Sequence, residues 1–331
     1  MRTRTRPHRN VTSPCSLSRR AGEGRGEGGS EAADGPAPQP FDLDDDTAYR
    51  NWRARKLAQR PADAAAITVD VADPRALKPA ERRALLDGIA RANVAIYRSP
   101  VLDEDPRLPA ALGAQLGLVR LDANWLADED GISHIRVGGA SDGHGGFIPY
   151  TSQPIRWHTD GYYHPQQRRI HGMILHCVRA AAQGGENRLL DPELAYIALR
   201  DESPALVAAL MQSDAMTIPA RADADGVARA AQSGPVFAVE HGALHMRYTA
   251  RTRSIEWSAE ARVQEAVRRL AALLAGDMPG LLRVRLSAGM GIVGHNVLHD
   301  RSGFVDDANH PRLLYRARFL CRVDLRSPAP D

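Results

Sequence analysis

His158-Thr159-Asp160, inside the run Trp157 to Tyr163, sets an imidazole and a carboxylate two residues apart beside clustered aromatics. On an extended strand residues i and i+2 share a face, so both side chains can reach one metal ion while Thr159 points away. A further ligand must come from elsewhere, and the run Gly294 to Arg301 offers His295 and His299. If that run is one strand, two histidines four residues apart fall on one face, and spacing alone does not choose between them. Two imidazoles and one carboxylate form a facial set that leaves half the positions of an octahedral Fe(II) open for a bidentate cosubstrate and dioxygen.

Downstream of His299, Arg312 to Phe319 reads as an apolar strand studded with arginines. A buried arginine is costly unless paired. A dicarboxylate would be a suitable partner, because a guanidinium fork binds a carboxylate through two parallel hydrogen bonds. His164, His171, His176, His241 and His245 have no matched ligand partner at strand or helix spacing and read as structural.

With these residues in place, the chain resembles the TauD/TfdA-like superfamily of Fe(II)/2-oxoglutarate-dependent dioxygenases. The likeness runs from Ile148 to Val323 and is carried by His158-Thr159-Asp160, Gly184-Gly185-Glu186-Asn187 and Asn296 to Arg301 with the trailing Arg312. Within the superfamily, the run from Met173 to Asp191 is similar to the γ-butyrobetaine hydroxylase branch. The resemblance implies a double-stranded β-helix, or jelly-roll barrel, in a mainly β chain with flanking helices (α+β). It also implies Fe(II) held by His158, Asp160 and His299, with Arg301 and Arg312 behind His299 favouring it over His295. Arg312 would clamp the far carboxylate of 2-oxoglutarate, with Asn187 as a lateral donor where related proteins carry threonine, and Arg316 in the same group. The implied reaction consumes dioxygen, converts 2-oxoglutarate to succinate and CO2, and oxidises a small organic substrate.

For that substrate, the run Leu244 to Arg253 resembles the substrate-lining strand of the γ-butyrobetaine branch, with arginines in place of amides. Alternation puts Arg247, Thr249 and Arg251 on one surface, Arg316 and Arg156 add positive charge, and Tyr162 and Tyr163 supply aromatic walls. This reading expects an anionic or zwitterionic acid bearing a carboxylate, sulfonate or phosphate. The competing description is a solvated edge strand with its arginines in water. Two other classes stay open: a zinc hydrolase on a similar scaffold and a non-catalytic ligand-binding barrel.

These groups must be positioned by a chain of 331 residues, 43% hydrophobic. That is enough for a sizeable core. Residues 1–40 hold seven arginines against four acids and so carry the whole formal +3. They are rich in Gly, Ser and Pro, and read as a disordered tail. The remainder is neutral, which argues against a nucleic-acid partner. No stretch is apolar enough to span a membrane. Cys15, Cys177 and Cys321 are odd in number and widely spaced, which fits a reducing, cytoplasmic setting without disulfides. The expected partner is a small molecule, and association into a homo-oligomer is left open.

One domain is expected over 41–331, with an αβ lead-in at 41–145 and a barrel with helical insertions at 146–331. Helices are expected at Thr47–Gln59, Pro79–Asn93, Leu108–Leu116, after Asp191-Pro192, after Ser203-Pro204 and at Ser258–Ala275, with a mainly antiparallel strand inventory around them. The glycine-rich run Gly138–Gly146 has no phosphate-loop ending and reads as a loop, either an active-site lid or ordinary surface.

Overall fold

Ten strands carry the architecture: β1 (Thr68–Asp70), β2 (Val94–Arg98), β3 (Ser133–Ile135), β4 (Ile155–His158), β5 (Gly172–Arg179), β6 (Asn187–Leu190), β7 (Leu282–Val284), β8 (Met290–His295), β9 (Leu298–Arg301) and β10 (Leu313–Phe319). The structure is a computed structural model and describes residues 39–122, 131–138, 148–222, 228–251 and 255–326. One sheet runs β1-β2-β8-β5-β10-β3 and a second runs β7-β6-β9-β4. Only β1 and β2 pair in parallel among these neighbours. Leu175, Ile292 and Leu314 of the first sheet share one buried cluster with Leu189, Leu282 and Val284 of the second, so the two sheets pack through a common apolar layer.

The alternation of β10 decides which of its residues meet which layer. Leu313, Tyr315, Ala317 and Phe319 join the cluster under the lead-in helices, while Leu314 joins the layer between the sheets. Arg312, Arg316 and Arg318 share the parity of Leu314 and therefore stand on the inner side. The lead-in contains α1 (Asp46–Gln59), α2 (Pro79–Ala92) and α3 (Leu108–Gln115). The cap of α1 is Asp45, whose carboxylate accepts the Ala48 N–H at 2.9 Å, rather than the expected Thr47.

Between β6 and β7 the chain inserts α4 (Pro192–Glu202), α5 (Pro204–Leu210) and α6 (Ala261–Ala275). Asp191 caps α4 through the Glu193 N–H, whereas Ser203 makes no side-chain cap at α5. The apolar stripe of α6 packs as its periodicity predicts: Val263, Ala266, Leu270 and Leu274 are buried and Val267 and Leu273 lie against them. Full burial of Val263, Leu270 or Leu274 contributes roughly 1.5–3 kcal/mol each. These elements lie in one compact unit, Pro38–Asp331. Residues 1–38 of the tail expected over 1–40, and 139–146 of the glycine-rich run Gly138–Gly146, fall outside the described residues. No helix among the described residues is long and apolar enough to cross a membrane.

Candidate metal and anion site

The expected single strand over Gly294–Arg301 is two. It breaks at Asn296-Val297, so His295 ends β8 in the six-stranded sheet and His299 lies on β9 in the four-stranded one. The two histidines therefore do not share a face. His299 pairs directly opposite His158 of β4, their rings 4.2 Å apart between centroids, and the register slips just beyond, between His299 and Arg301. After β4 the chain carries Asp160 inward and turns at Gly161, whose φ of 65° and close approach to Ile170 leave no room for a side chain. One ligand-capable atom from each of His158, Asp160 and His299 lies within 4.8 Å of the others.

Each imidazole is held by its own strand. His158 Nδ1 lies 3.0 Å from the Arg156 carbonyl and His299 Nδ1 lies 2.9 Å from the Val297 carbonyl. A carbonyl only accepts, so Nδ1 carries the proton and each Nε2 keeps its lone pair for another partner. Burial, reinforced by His299, pushes the His158 pKa down to about 3, so the ring stays neutral. For Asp160, burial acts to raise the pKa, but Arg316, followed by His299 and Arg318, outweighs it and holds the carboxyl well below the usual range. Arg316 Nη1 donates to Asp160 Oδ1 at 3.2 Å, while Asp160 Oδ2 is buried without a hydrogen-bond partner. The donor set, two imidazoles whose Nε2 atoms are turned from their backbone partners and a carboxylate oxygen without a partner, fits a divalent metal of the Fe(II) kind.

Sequence reasoning missed the residue that fixes this carboxylate. Asn296 accepts the Asp160 N–H at 2.8 Å and donates to the Asp160 and Ile170 carbonyls at 2.8 and 2.9 Å. Nothing local in the sequence marks an amide that clasps a backbone 136 residues away. Thr159, turned from the site as expected, is also engaged: its hydroxyl accepts the Tyr248 N–H at 3.1 Å.

The expected anion-binding residues separate into groups. Arg312 is buried, its guanidinium carbon 4.9 Å from the Phe304 ring centre, with no ion pair among the described residues, and burial lowers its pKa to about 10. Asn187 is buried at the start of β6, its amide donating to the Gly185 carbonyl at 3.4 Å. Thr249 forms a bridge opposite His158, which puts it beside the metal-competent cluster. Tyr162 and Tyr163 stack edge to face at 5.3 Å, and the Tyr163 hydroxyl accepts from Arg318 at 2.9 Å. Arg156 is exposed, on the His158 side of β4.

Arg247 requires a correction. It is buried, and its guanidinium donates to the carbonyls of Tyr162, Met216, Gly234 and Gln232 at 2.7, 2.9, 3.3 and 2.6 Å. A fork committed to four carbonyls has no edge left for a substrate anion. Arg251 is exposed and reaches the Tyr162 hydroxyl at 3.5 Å, and within the run Leu244–Arg253 the strand ends at Met246, so strand alternation does not carry through Arg247, Thr249 and Arg251. His295 has a structural setting: Asn93 Oδ1 lies 2.7 Å and Arg322 Nη2 lies 2.9 Å from its Nδ1.

With this geometry established, the comparisons with known proteins give its class. The family model for taurine catabolism dioxygenase TauD, TfdA, matches residues 53–318. The chain belongs to that family. A uridine-5'-phosphate dioxygenase of Amycolatopsis sp is 33% identical over 185 residues, 54% of this chain and 65% of that protein. A second, of Streptomyces sp, is 32% identical over 197 residues, 57% of this chain and 69% of that one. The chain thus spans slightly under two thirds of the first relative. The structure shares its fold with an asparagine oxygenase solved with Fe(II), 2S,3S-3-hydroxyasparagine and succinate, at 21% identity and a TM-score of 0.52 over 73% of this chain and 80% of the other.

Proposed function

We propose that His158, Asp160 and His299 hold Fe(II), that Arg312 and Asn187 receive the distal carboxylate of 2-oxoglutarate, and that the protein oxidises a small phosphate-bearing substrate. The observation that carries this reading is the buried, unpartnered Asp160 Oδ2 beside two imidazoles whose Nδ1 protons are already committed. The metal, when bound, supplies the site at which 2-oxoglutarate and dioxygen react. The protein's own part is positional. Arg316 holds Oδ1 so that Asp160 presents a single oxygen, and Asn296 fixes the backbone from which that carboxylate projects. Arg312, a buried cation with no ion pair among the described residues, offers its fork to a carboxylate.

Arg316 spends one donor on Asp160, and its Nε is buried without a partner. Its remaining edge, with Thr249, Tyr162 and Tyr163, forms the substrate side. The names of the two curated relatives support a nucleoside monophosphate as the substrate class. The affinity to the γ-butyrobetaine branch rests on the Met173–Asp191 run and is borne by neither of these relatives. We read the two packed sheets as the halves of a double-stranded β-helix, which the shared fold supports.

Anaerobic addition of 2-oxoglutarate to the Fe(II)-loaded protein is expected to give a visible charge-transfer band. Under air, uridine 5'-phosphate is expected to stimulate succinate formation above that seen with uridine, taurine or asparagine. No band would end the oxygenase reading of the site; a band with stimulation by uridine alone would end the phosphate reading.

A further inference from the structure

The metal and substrate reading gives Asn187 a role but leaves the two glycines that begin its motif, Gly184-Gly185, without one. Both glycines take positive φ, 73° and 72°. Residues Gln183–Gly184 pair with Phe304–Val305, and a Cβ on Gly184 would sit 2.4 Å from the Gly303 carbonyl oxygen. The glycines therefore allow the 303–305 backbone to close onto the turn. Phe304, brought in this way, is buried and meets two guanidiniums, Arg301 at 4.7 Å and Arg312 at 4.9 Å from its ring centre.

The two arginines are satisfied differently. Arg301 Nη2 donates to the Thr151 and Gln153 carbonyls at 2.8 and 2.5 Å. Arg312 makes no side-chain hydrogen bond or ion pair among the described residues; the Phe304 ring lies against its guanidinium, and the Asp306 carboxylate, which accepts the Arg312 backbone N–H at 2.6 Å, acts on it through space. A cation over an aromatic face is held by the ring quadrupole without losing any N–H donor. A second cation over the same ring adds repulsion that Asp306 offsets in part and that an anion at the fork would relieve further.

We propose that Phe304, set by the Gly184-Gly185 turn, is a positioning residue that aims Arg312 at the distal carboxylate of the cosubstrate, and that Arg301 reinforces the demand for that second carboxylate. This rests on the reading of Arg312 given above. The arrangement selects a 2-oxo acid by its far end: 2-oxoglutarate meets the aimed fork, and pyruvate, which lacks the distal carboxylate, does not.

The test is an anaerobic titration of the Fe(II)-loaded full chain with 2-oxoglutarate and, separately, with pyruvate, followed through the charge-transfer band. Phe304→Leu is expected to weaken 2-oxoglutarate about tenfold, the scale of a desolvated cation–π contact. Pyruvate affinity should stay within about twofold, and Phe304→Tyr should restore the parental ratio. If Phe304→Leu does not fold, Phe304→Met fills the volume without a ring and gives the same reading. Equal weakening of both acids would mean a merely structural role and overturn the proposal. An unchanged 2-oxoglutarate affinity would overturn it too, with the iron reading intact, whereas absence of the band in the parent protein would remove both.

Discussion

Two arginine-bearing stretches, 244–251 and 312–318, look alike in sequence, each an apolar strand-like run interrupted by guanidiniums, yet their buried arginines do opposite things. Arg247 is surrounded by carbonyl oxygens that accept four of its donors, so it is a bracket holding the Tyr162, Met216, Gln232 and Gly234 backbones together. Arg312 has an aromatic ring and no acceptor among the described residues. Burial lowers both to a pKa of about 10, so neither burial nor pKa separates them. What separates them is the inventory of acceptors. A buried arginine signals an anion only where the backbone has not already claimed it.

The comparison presupposes a metal-centred site, and the largest expected effect tests that. Replacing His158, Asp160 or His299 by Ala should each remove iron-dependent 2-oxoglutarate turnover to below about one thousandth of the parent, as should chelation of the metal, because a facial set has no spare ligand. Succinate formation per mole of bound iron is the measure. Next, Arg312→Ala should raise the KM for 2-oxoglutarate about a hundredfold, the loss of one charge-assisted carboxylate contact, with thermal stability unchanged or higher. Arg247→Ala should do the reverse, leaving that KM within about twofold while removing about 3 kcal/mol of stability, because four carbonyls lose their donor. Denaturant curves and KM measured on both variants decide whether the two arginines differ as described.

Asn296→Ala should weaken metal binding about ten- to a hundredfold by releasing the Asp160 backbone, measurable by equilibrium titration with Mn(II) or Co(II). A smaller effect concerns pH. His176 is buried against the Tyr97 hydroxyl at 2.8 Å, and burial pushes its pKa down from 6.5 to about 4. The unfolded chain then takes up a proton that the folded chain refuses, so stability is full above about pH 6.5 and falls towards pH 4 by about 1.4 kcal/mol per pH unit from this group. His176→Gln should flatten that slope. Finally, His295→Ala should retain partial activity, because His295 is bonded to Asn93 and Arg322 on the other sheet.

The metal-competent cluster was legible because each half is local: His158 and Asp160 are separated by one residue, and His299 travels with Arg301 and Arg312. Strand spacing alone, without the trailing arginines, did not choose between His295 and His299. That choice depends on the strand break at Asn296-Val297, where the chain leaves one sheet for the other, and an Asn-Val pair carries no turn signal. The helix stripes of α6 could be read from periodicity, and the cap of α1 was displaced by two residues because Asp45 and Thr47 compete as first-turn acceptors. Arg247 was misjudged for a deeper reason. Its acceptors come from residues 162, 216, 232 and 234, a convergence that exists only after the insertion has folded back.

His158 and His299 face each other as partners in an antiparallel ladder. A one-residue slip between β4 and β9 would turn one ring to the opposite side of the sheet and leave two histidines that cannot share an ion. A divalent ion bound here would therefore act as a gauge of strand register: it stabilises the chain whose ladder partners are correctly aligned and has no purchase on one that is misaligned. Refolding with metal present should raise the yield of the aligned form, and amide hydrogens of β4 and β9 should exchange more slowly in the loaded protein than in the metal-free one.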